Sequence, residues 1–186
     1  SESDYNVLFA YDDSLINVSN VLGLCYNKRF LIYTYATLLY GHTYLWGGRS
    51  YQGYDCSGLI QTCANLAGYN LPRDAKEQVD SSLLYEVSKD EIEPGDLIYF
   101  KEKNSVSHVG VVHPYIHRNR KVRDRYLLTH SSSWTGDVST IDIKIHNNEA
   151  IPMYSYECSY SEITDVVNHN LKPMKLYKIM RFKDDA

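Results

Sequence analysis

The sequence has little of the features that mark several specialised classes of protein. Lys and Arg number 19 against 23 Asp and Glu in 186 residues, a formal net charge of −4, so the basic excess typical of nucleic-acid-binding domains is missing. No stretch approaches the roughly 20 consecutive apolar residues of a transmembrane helix, and no internal repeat or low-complexity tract occurs. We therefore expect neither a nucleic-acid partner nor a membrane span.

Cysteine is also scarce, and its spacing follows no pattern. The four residues are Cys25, Cys56, Cys63 and Cys158, without any CxxC pair, which argues against a disulfide framework and a zinc-finger site. A structural metal is therefore not expected. Most lone cysteines are small buried hydrophobic residues, and this interpretation suits all of them except Cys56.

What is present is the composition of one globular domain. Hydrophobic residues make up 44% and charged residues 23%, close to globular averages, and a chain of this length usually folds around a single core. The 18 tyrosines suit a polar groove, and a compositional bias explains them equally well. We predict an N-terminal arm or remnant over residues 1–27 and one domain over 28–186, with a motif core over 28–143, an insertion over 146–175 and a last strand at about 175–182.

Hydrophobic periodicity predicts helices first and strands afterwards. Apolar side chains recur at helical spacing over residues 28–40 and again after Asp55, which stands at the N-cap position of a helix beginning at Cys56. A helix followed by a run of strands predicts an α+β fold, with N-terminal helices packed on a central antiparallel sheet. We further predict a partly helical segment over 72–85 and strands at 97–100, 108–112, 126–130 and 138–143. The segment at 118–125 is basic, and it is either a solvated hairpin extension or a contact for an anionic ligand.

Cys56 is the strongest candidate for a chemical role. A thiol at a helix N-terminus lies at the positive end of the helix dipole, which stabilises the thiolate and lowers the pKa. The backbone N–H of Cys56 also points to where an oxyanion would form in acyl transfer. A cysteine nucleophile needs a base, and antiparallel pairing would bring together His108, which opens one strand, and His130, which ends the next. The other histidines, at 42, 113, 117, 146 and 169, lack such a setting, His113 being the main alternative to His130.

Five sequence motifs, taken together, resemble those of the NlpC/P60 cysteine peptidases. They are Tyr44-Leu45-Trp46-Gly47-Gly48, Gly53-Tyr54-Asp55-Cys56-Ser57-Gly58-Leu59, Leu71-Pro72-Arg73 with Gln78, Pro94-Gly95-Asp96-Leu97, and Ser107-His108-Val109-Gly110-Val111. The resemblance implies a papain-like fold and hydrolysis of the stem peptides of bacterial peptidoglycan, without a cofactor. The implied bond joins γ-D-glutamate to diaminopimelate or lysine, and the implied intermediate is a thioester.

The resemblance also implies roles for individual residues in catalysis. Cys56 matches the nucleophile and His108 the general base. His130 matches the third member, which accepts a hydrogen bond from the far nitrogen of His108 and fixes its tautomer. Tyr44 matches a tyrosine whose hydroxyl would complement the Cys56 N–H at the oxyanion site.

Substrate contacts are implied at four further positions. Asp55 and Ser57 match residues that bind the N-terminal amine of free stem peptides, and Trp46 is a further candidate. Arg73 is a candidate for a substrate carboxylate, with an ion pair to an acidic side chain as an equal alternative. Residues 1–27 are too few for the SH3-like domain that shapes the amine pocket in many relatives, so selectivity for a free amine is in doubt.

Two other functions are compatible with these motifs. A thioester can pass its acyl group to an amine or alcohol, which would make the protein an acyltransferase, although the related acyltransferases place His before Cys. A non-catalytic module that binds the cell wall or a partner would suit the tyrosine excess. The resemblance implies a bacterial setting, either cytoplasmic for murein recycling or exported for wall remodelling, and it leaves the oligomeric state open.

Overall fold

The computed structural model describes residues 28–113, 125–153 and 172–183, together with the backbone of two short strands that precede them. These strands, β1 (Asn6–Leu8) and β2 (Leu15–Asn17), pair antiparallel. The sequence prediction for 1–27 contained no regular element, because a strand of three residues is too short to show a period of two. Cys25, Cys158, His117, His169 and the positions 114–124 and 154–171, which include nearly all of the basic segment, lie outside the described residues.

The helices form where periodicity and capping predict them. Helix α1 (Lys28–Leu38) is followed by Gly41 at φ +77°, and α2 (Cys56–Leu66) begins directly after its N-cap, Asp55. The Asp55 carboxylate accepts a hydrogen bond from the Gly58 N–H, which satisfies one of the unpaired donors of the first turn. Both predicted helices are therefore confirmed, and a short third helix, α3 (Ala75–Gln78), follows. Among the helices described, none is long and apolar enough to cross a membrane.

The strands form one large antiparallel sheet and a small hairpin. The hairpin is β3 (Arg49–Ser50) with β4 (Gly53–Tyr54). The sheet has the order β10-β9-β8-β7-β6-β11-β5, and β10 also pairs with β11, so that six strands close into a ring. Its members are β5 (Leu84–Glu86), β6 (Leu97–Glu102), β7 (Ser105–His113), β8 (Arg125–Ser131), β9 (Val138–His146), β10 (Glu149–Pro152) and β11 (Met174–Phe182), with a 3₁₀ turn at Lys89–Glu91.

The closed ring separates two hydrophobic cores. Side chains alternate along a strand, so in β6 Ile98 and Phe100 point into the ring while Leu97 and Tyr99 point toward the helices. The inner core also contains Val112, Leu128, Ile141, Ile143, Ile145, Ala150, Met174 and Ile179. The outer core joins the sheet to α1 and α2 and includes Ile32, Ala36, Leu59, Ile60, Cys63, Val109 and Val111. The predicted arrangement of helices on an antiparallel sheet is confirmed.

Two strands of the sheet were not predicted. β5 begins at the end of the polar stretch over 72–85, whose expected helical part is α3, and β10 lies in the predicted insertion over 146–175. Both strands are short, and β10 is held by neighbours on both sides, β9 and β11. Pairing with distant strands therefore stabilises segments whose own sequences carry little strand signal.

One glycine makes room for a neighbouring side chain inside the ring. A Cβ atom on Gly110 of β7 would lie 2.7 Å from Cγ of Leu128 on β8. Any larger residue would push β8 away from β7 or displace Leu128. Gly110 therefore leaves the space that the Leu128 side chain occupies beside the strand that carries His108.

Candidate active site

Cys56 lies where the first turn of α2 meets strand β7. Its side chain packs against the outer core, and the backbone N–H of Val109 lies close enough to the sulfur to lower the pKa of the thiol. Val109 directly follows His108, so the sulfur lies beside the peptide that carries the predicted base. The glycine-rich loop packs onto the same turn, since a Cβ on Gly58 would overlap the carbonyl oxygen of Gly48. Gly48 and Gly58 are thus explained by close approach of backbone to backbone.

The structure brings His108 and His130 together on adjacent strands. Nε2 of His108 lies 2.7 Å from Nδ1 of His130, within hydrogen-bond distance. His108 is 7% exposed and His130 is fully buried. The ring of His108 is also held between two aromatic rings, stacked on Phe100 at 6.0 Å and tilted against Trp134 at 5.7 Å between centroids.

His113, the alternative to His130, lies elsewhere. Its ring packs edge-on against Tyr33 of α1, with centroids 5.6 Å apart. His42 is bound at Nδ1 to the carbonyl oxygen of Leu39, and His146 is exposed at the end of β9. Of the described histidines, His108 and His130 are thus the two that the fold brings within hydrogen-bond distance of each other.

Burial controls the protonation state of the two histidines. Removal from water disfavours the charged imidazolium and lowers the pKa of His108 to about 4. The pKa of His130 is lowered well below its ordinary value by burial and then by the charge that His108 would carry. Both rings are therefore neutral at pH 7.

The electrostatic setting of Cys56 differs from the sequence prediction. Burial raises the pKa of the Cys56 thiol, and the negative charge of Asp55 raises it further. The backbone N–H groups of Val109, Ser57 and Cys56 lower the pKa, as expected at a helix N-terminus, but desolvation outweighs them. The prediction of a depressed thiol pKa was therefore wrong, and the thiol and the two imidazole rings are neutral in the resting protein.

Asp55 and Arg73 form an ion pair under the glycine-rich loop. Nη2 of Arg73 lies 2.6 Å from Oδ2 of Asp55, and Nη1 lies 3.0 Å from Oδ1, a bidentate arrangement. The Asp55 carboxylate also accepts hydrogen bonds from the N–H groups of Gly47 and Gly58 and from the Ser57 hydroxyl. Of the two alternatives for Arg73, the structure shows the ion pair. The pKa of Arg73 is raised, first by its hydrogen bond to Asp55.

Gln78 and Trp134 belong to the site although the sequence interpretation gave them no role. Gln78 is fully buried; its Nε2 donates to the carbonyl oxygens of Ser57 and Pro72, at 3.0 and 2.9 Å. It thereby fastens the Arg73 loop to the first turn of α2. Gln78 stands in one of the five motifs, so the sequence contained a signal for its role. The contact of Trp134 with His108 depends on the β8–β9 loop, and no motif or period in the sequence indicates it.

Tyr44 and Trp46 lie on the loop that precedes β3. The Tyr44 N–H donates to the Gly136 carbonyl oxygen at 2.8 Å, which joins this loop to the one that carries Trp134. The pKa of Tyr44 is raised by burial and then by the charges of Cys56 and Asp55, so its side chain lies within the electrostatic range of the thiol. Trp46 is 85% exposed, and its ring is therefore available to a ligand.

The burial of His108 predicts a pH dependence of stability. Between its folded pKa of about 4 and its ordinary value of 6.5, the unfolded chain binds more protons than the folded one. The contribution of His108 to the free energy of unfolding is therefore complete above pH 6.5. As the pH falls toward 4, the protein loses about 3 kcal/mol of that free energy. His130 acts in the same direction. Urea unfolding across this range measures the effect.

Matched histidine variants provide the control for this pH dependence. His108→Gln is expected to flatten the slope of unfolding free energy against pH between 6.5 and 4. His146→Gln, which removes an exposed imidazole, is expected to leave the slope as in the parent protein. Equal slopes in all three proteins would contradict the neutral, buried His108.

The fold and the family follow from these features together with comparisons to known proteins. A cysteine at the N-terminus of a helix, packed against an antiparallel sheet, defines the papain-like α+β fold. Residues 41–150, more than half of the chain, match the model of the NlpC/P60 family. The chain belongs to the NlpC/P60 family.

Individual relatives agree with this assignment. The chain is 39% identical over 74 residues to the gamma-D-glutamyl-L-lysine dipeptidyl-peptidase of Bacillus subtilis, covering 38% of this chain and 24% of that protein. It is 40% identical over 75 residues to the bifunctional muramidase/DL-endopeptidase CwlT of the same organism, covering 38% and 22%. The matched segment thus spans about a quarter of each curated relative. The solved structure of NlpC1 from Trichomonas vaginalis shares the fold, with a TM-score of 0.54 at 22% identity over 84% of this chain and 44% of that chain.

Proposed function

We propose that this protein is a cysteine endopeptidase that hydrolyses the stem peptides of peptidoglycan at the bond between γ-D-glutamate and diaminopimelate or lysine. The observation that carries the proposal is the position of Cys56, whose sulfur lies near the backbone N–H of Val109, the residue directly after His108, while His108 is hydrogen-bonded to His130. The names of the Bacillus relatives support this substrate class. No cofactor takes part in the proposed reaction.

In the proposed first step, Cys56 attacks the scissile carbonyl carbon while His108 takes the thiol proton. Because Nε2 of His108 faces His130, Nδ1 is the nitrogen that serves as the base. The thiol and the imidazole are both neutral at rest, so proton transfer accompanies the attack rather than preceding it. The oxyanion that forms is held by the Cys56 N–H and the Tyr44 hydroxyl.

The intermediate then collapses, and the C–N bond of the peptide breaks. His108 gives its proton to the leaving amine, and the acyl group remains on Cys56 as a thioester. In the second half, water adds to the thioester carbonyl while His108 accepts one of its protons. The C–S bond breaks, the proton returns to the sulfur, and the carboxylic acid product leaves.

The Asp55 ion pair bears on which peptides are accepted. A carboxylate offers about four acceptor sites, and those of Asp55 are used by Arg73, Ser57 and the N–H groups of Gly47 and Gly58. No acceptor site of Asp55 remains for the ammonium group of a free peptide. We therefore propose an endopeptidase that does not require a free N-terminal amine.

Defined stem peptides test the proposed reaction. L-Ala-γ-D-Glu-diaminopimelate and its lysine counterpart, each with a free and an acetylated N-terminus, are incubated with the protein and followed by mass spectrometry. We expect release of the diamino acid from at least one pair, at rates within about threefold for the free and acetylated forms, because acetylation removes no contact to Asp55. Unchanged peptides together with unchanged intact murein would refute the substrate class. A strict need for the free amine would refute only the endopeptidase assignment.

A further inference from the structure

Three buried polar atoms next to the histidine pair have no hydrogen-bond partner among the described residues. They are Nε2 of His130, Oγ of Ser139 and Oδ1 of Asp137. A buried polar atom costs free energy unless it is hydrogen-bonded, so each such atom in a native structure requires an explanation. Three of them in one region point to a shared partner.

Strand register places His130 and Ser139 side by side. The two residues are direct partners in the β8–β9 pairing, so their Cβ atoms lie about 5 Å apart on the same face. That face points into the ring, as the inner-core positions of Leu128 and Ile141 show. The Ser132 N–H donates to the Asp137 carbonyl oxygen, which continues the pairing and puts Asp137 diagonal to His130 on the same face.

The tautomer of His130 decides whether His108 can act as a base. If His108 is to accept the thiol proton at Nδ1, its own proton must lie on Nε2 and be donated to Nδ1 of His130. Neutral His130 then carries its proton on Nε2, the buried nitrogen that has no partner in the described chain. In the opposite tautomer pair, Nδ1 of His108 is already protonated and cannot accept a proton. An acceptor for the His130 Nε2–H therefore favours the productive form.

We propose that Ser139 is a positioning residue of this site: its hydroxyl, through one buried water, accepts the hydrogen bond of His130 Nε2–H and holds His130 in the productive tautomer. A buried water typically makes about three hydrogen bonds, and the three atoms supply that number, with Asp137 Oδ1 as the further acceptor. His108 of β7 is the titratable group in contact with His130, and Asp137 is the residue directly before β9.

Nitrogen-15 NMR of the histidine side chains at pH 7 tests the proposal without any substrate. In the wild-type protein we expect a protonated Nε2 and an unprotonated Nδ1 for His130. Ser139→Ala is expected to mix the two tautomers or reverse them, and Ser139→Thr is expected to restore the wild-type spectrum because it keeps the hydroxyl. Ser139→Cys, whose thiol is a weak acceptor, serves as a second test variant should Ser139→Ala fail to fold. A wild-type His130 protonated at Nδ1, or a spectrum that does not change in Ser139→Ala and Ser139→Cys, would overturn the proposal.

A neighbouring hydroxyl provides the matched control. Thr140 is adjacent on β9, but its Oγ1 lies 2.8 Å from Oγ1 of Thr129 on the opposite face. Thr140→Val should leave the His130 tautomer unchanged. If it shifts the tautomer as much as Ser139→Ala, the effect is a general loosening of the strand pair and the proposal fails.

The expected effect of Ser139 on turnover rests on the proposed function. Ser139→Ala is expected to lower kcat about tenfold with little change in KM, corresponding to one lost hydrogen bond, and Ser139→Thr is expected to recover most of it. Inactivity of the wild-type protein on every stem peptide would refute the proposed function, while the tautomer measurement would still decide the role of Ser139. A wild-type kcat in a folded Ser139→Ala variant would refute the role of Ser139 alone.

Discussion

Cys56→Ala is expected to lower the turnover of a susceptible stem peptide by at least about 10³-fold, because no other group in the proposed mechanism can form the thioester. The variant keeps the N-cap and the helix, since the Asp55 bonds to Gly47, Gly58 and Arg73 do not involve the sulfur. Turnover is measured by mass spectrometry of the released diamino acid. Peptide binding should persist, because binding does not require the sulfur.

The same helix offers a cysteine control. Cys63 lies seven residues further along α2, fully buried in the outer core, and burial raises the pKa of its thiol to about 12. Cys63→Ala is expected to keep the activity while losing about 1–2 kcal/mol of stability through the lost packing. Activity in Cys56→Ala, or its loss in a folded Cys63→Ala, would refute the assignment of the nucleophile.

Arg73→Met is expected to destabilise the fold by about 3 kcal/mol, the second large effect. The Asp55 side chain is 10% exposed and that of Arg73 is 26% exposed, so removal of the guanidinium leaves a carboxylate without its counter-charge in a poorly solvated place. The glycine-rich loop and the first turn of α2 share this carboxylate as an acceptor, so activity should fall as well. Urea unfolding at pH 7 gives the loss in free energy.

Two companion variants separate charge from geometry at this pair. Arg73→Lys keeps the charge but loses the bidentate fork, and its stability should fall between those of the parent and Arg73→Met. Adding Asp55→Asn to Arg73→Met removes the unpaired charge, so the double variant should be more stable than the sum of the single losses predicts. Strict additivity would show that the two side chains do not interact energetically.

Local signals in the sequence were sufficient for much of the fold. The N-cap at Asp55 and the apolar period after it define α2, and β-rich runs between turn residues define β6 to β9 and β11. β5 and β10 could not be predicted because each is three or four residues long and depends on strands that are distant in the sequence. Closure of the ring through β10 and β11 is likewise a tertiary feature that local periodicity does not carry.

The sequence predicted that His108 and His130 would lie together, but it did not predict the electrostatics of the candidate site. Helix capping and strand order are the sequence signals that single out Cys56, His108 and His130. The long gap between the two histidines does not prevent their contact, because the strand register pairs Val111 with Thr129. The thiol pKa was predicted with the wrong sign, since burial depends on how the helix packs against β7. The sequence also could not predict the partner of Arg73, because the tertiary structure determines whether Arg73 contacts Asp55 or a ligand.

The closed ring also restricts how an extended peptide can be recognised. Many peptide-binding proteins add their ligand as an extra strand at an open sheet edge, where unpaired main-chain groups give affinity. β7 pairs with β6 from Ser105 to Val111 and with β8 only from Val111 to His113, so among these paired strands an added strand could reach β7 only before Val111. Recognition elsewhere around Cys56 therefore depends on side chains and on the loops around the first turn of α2.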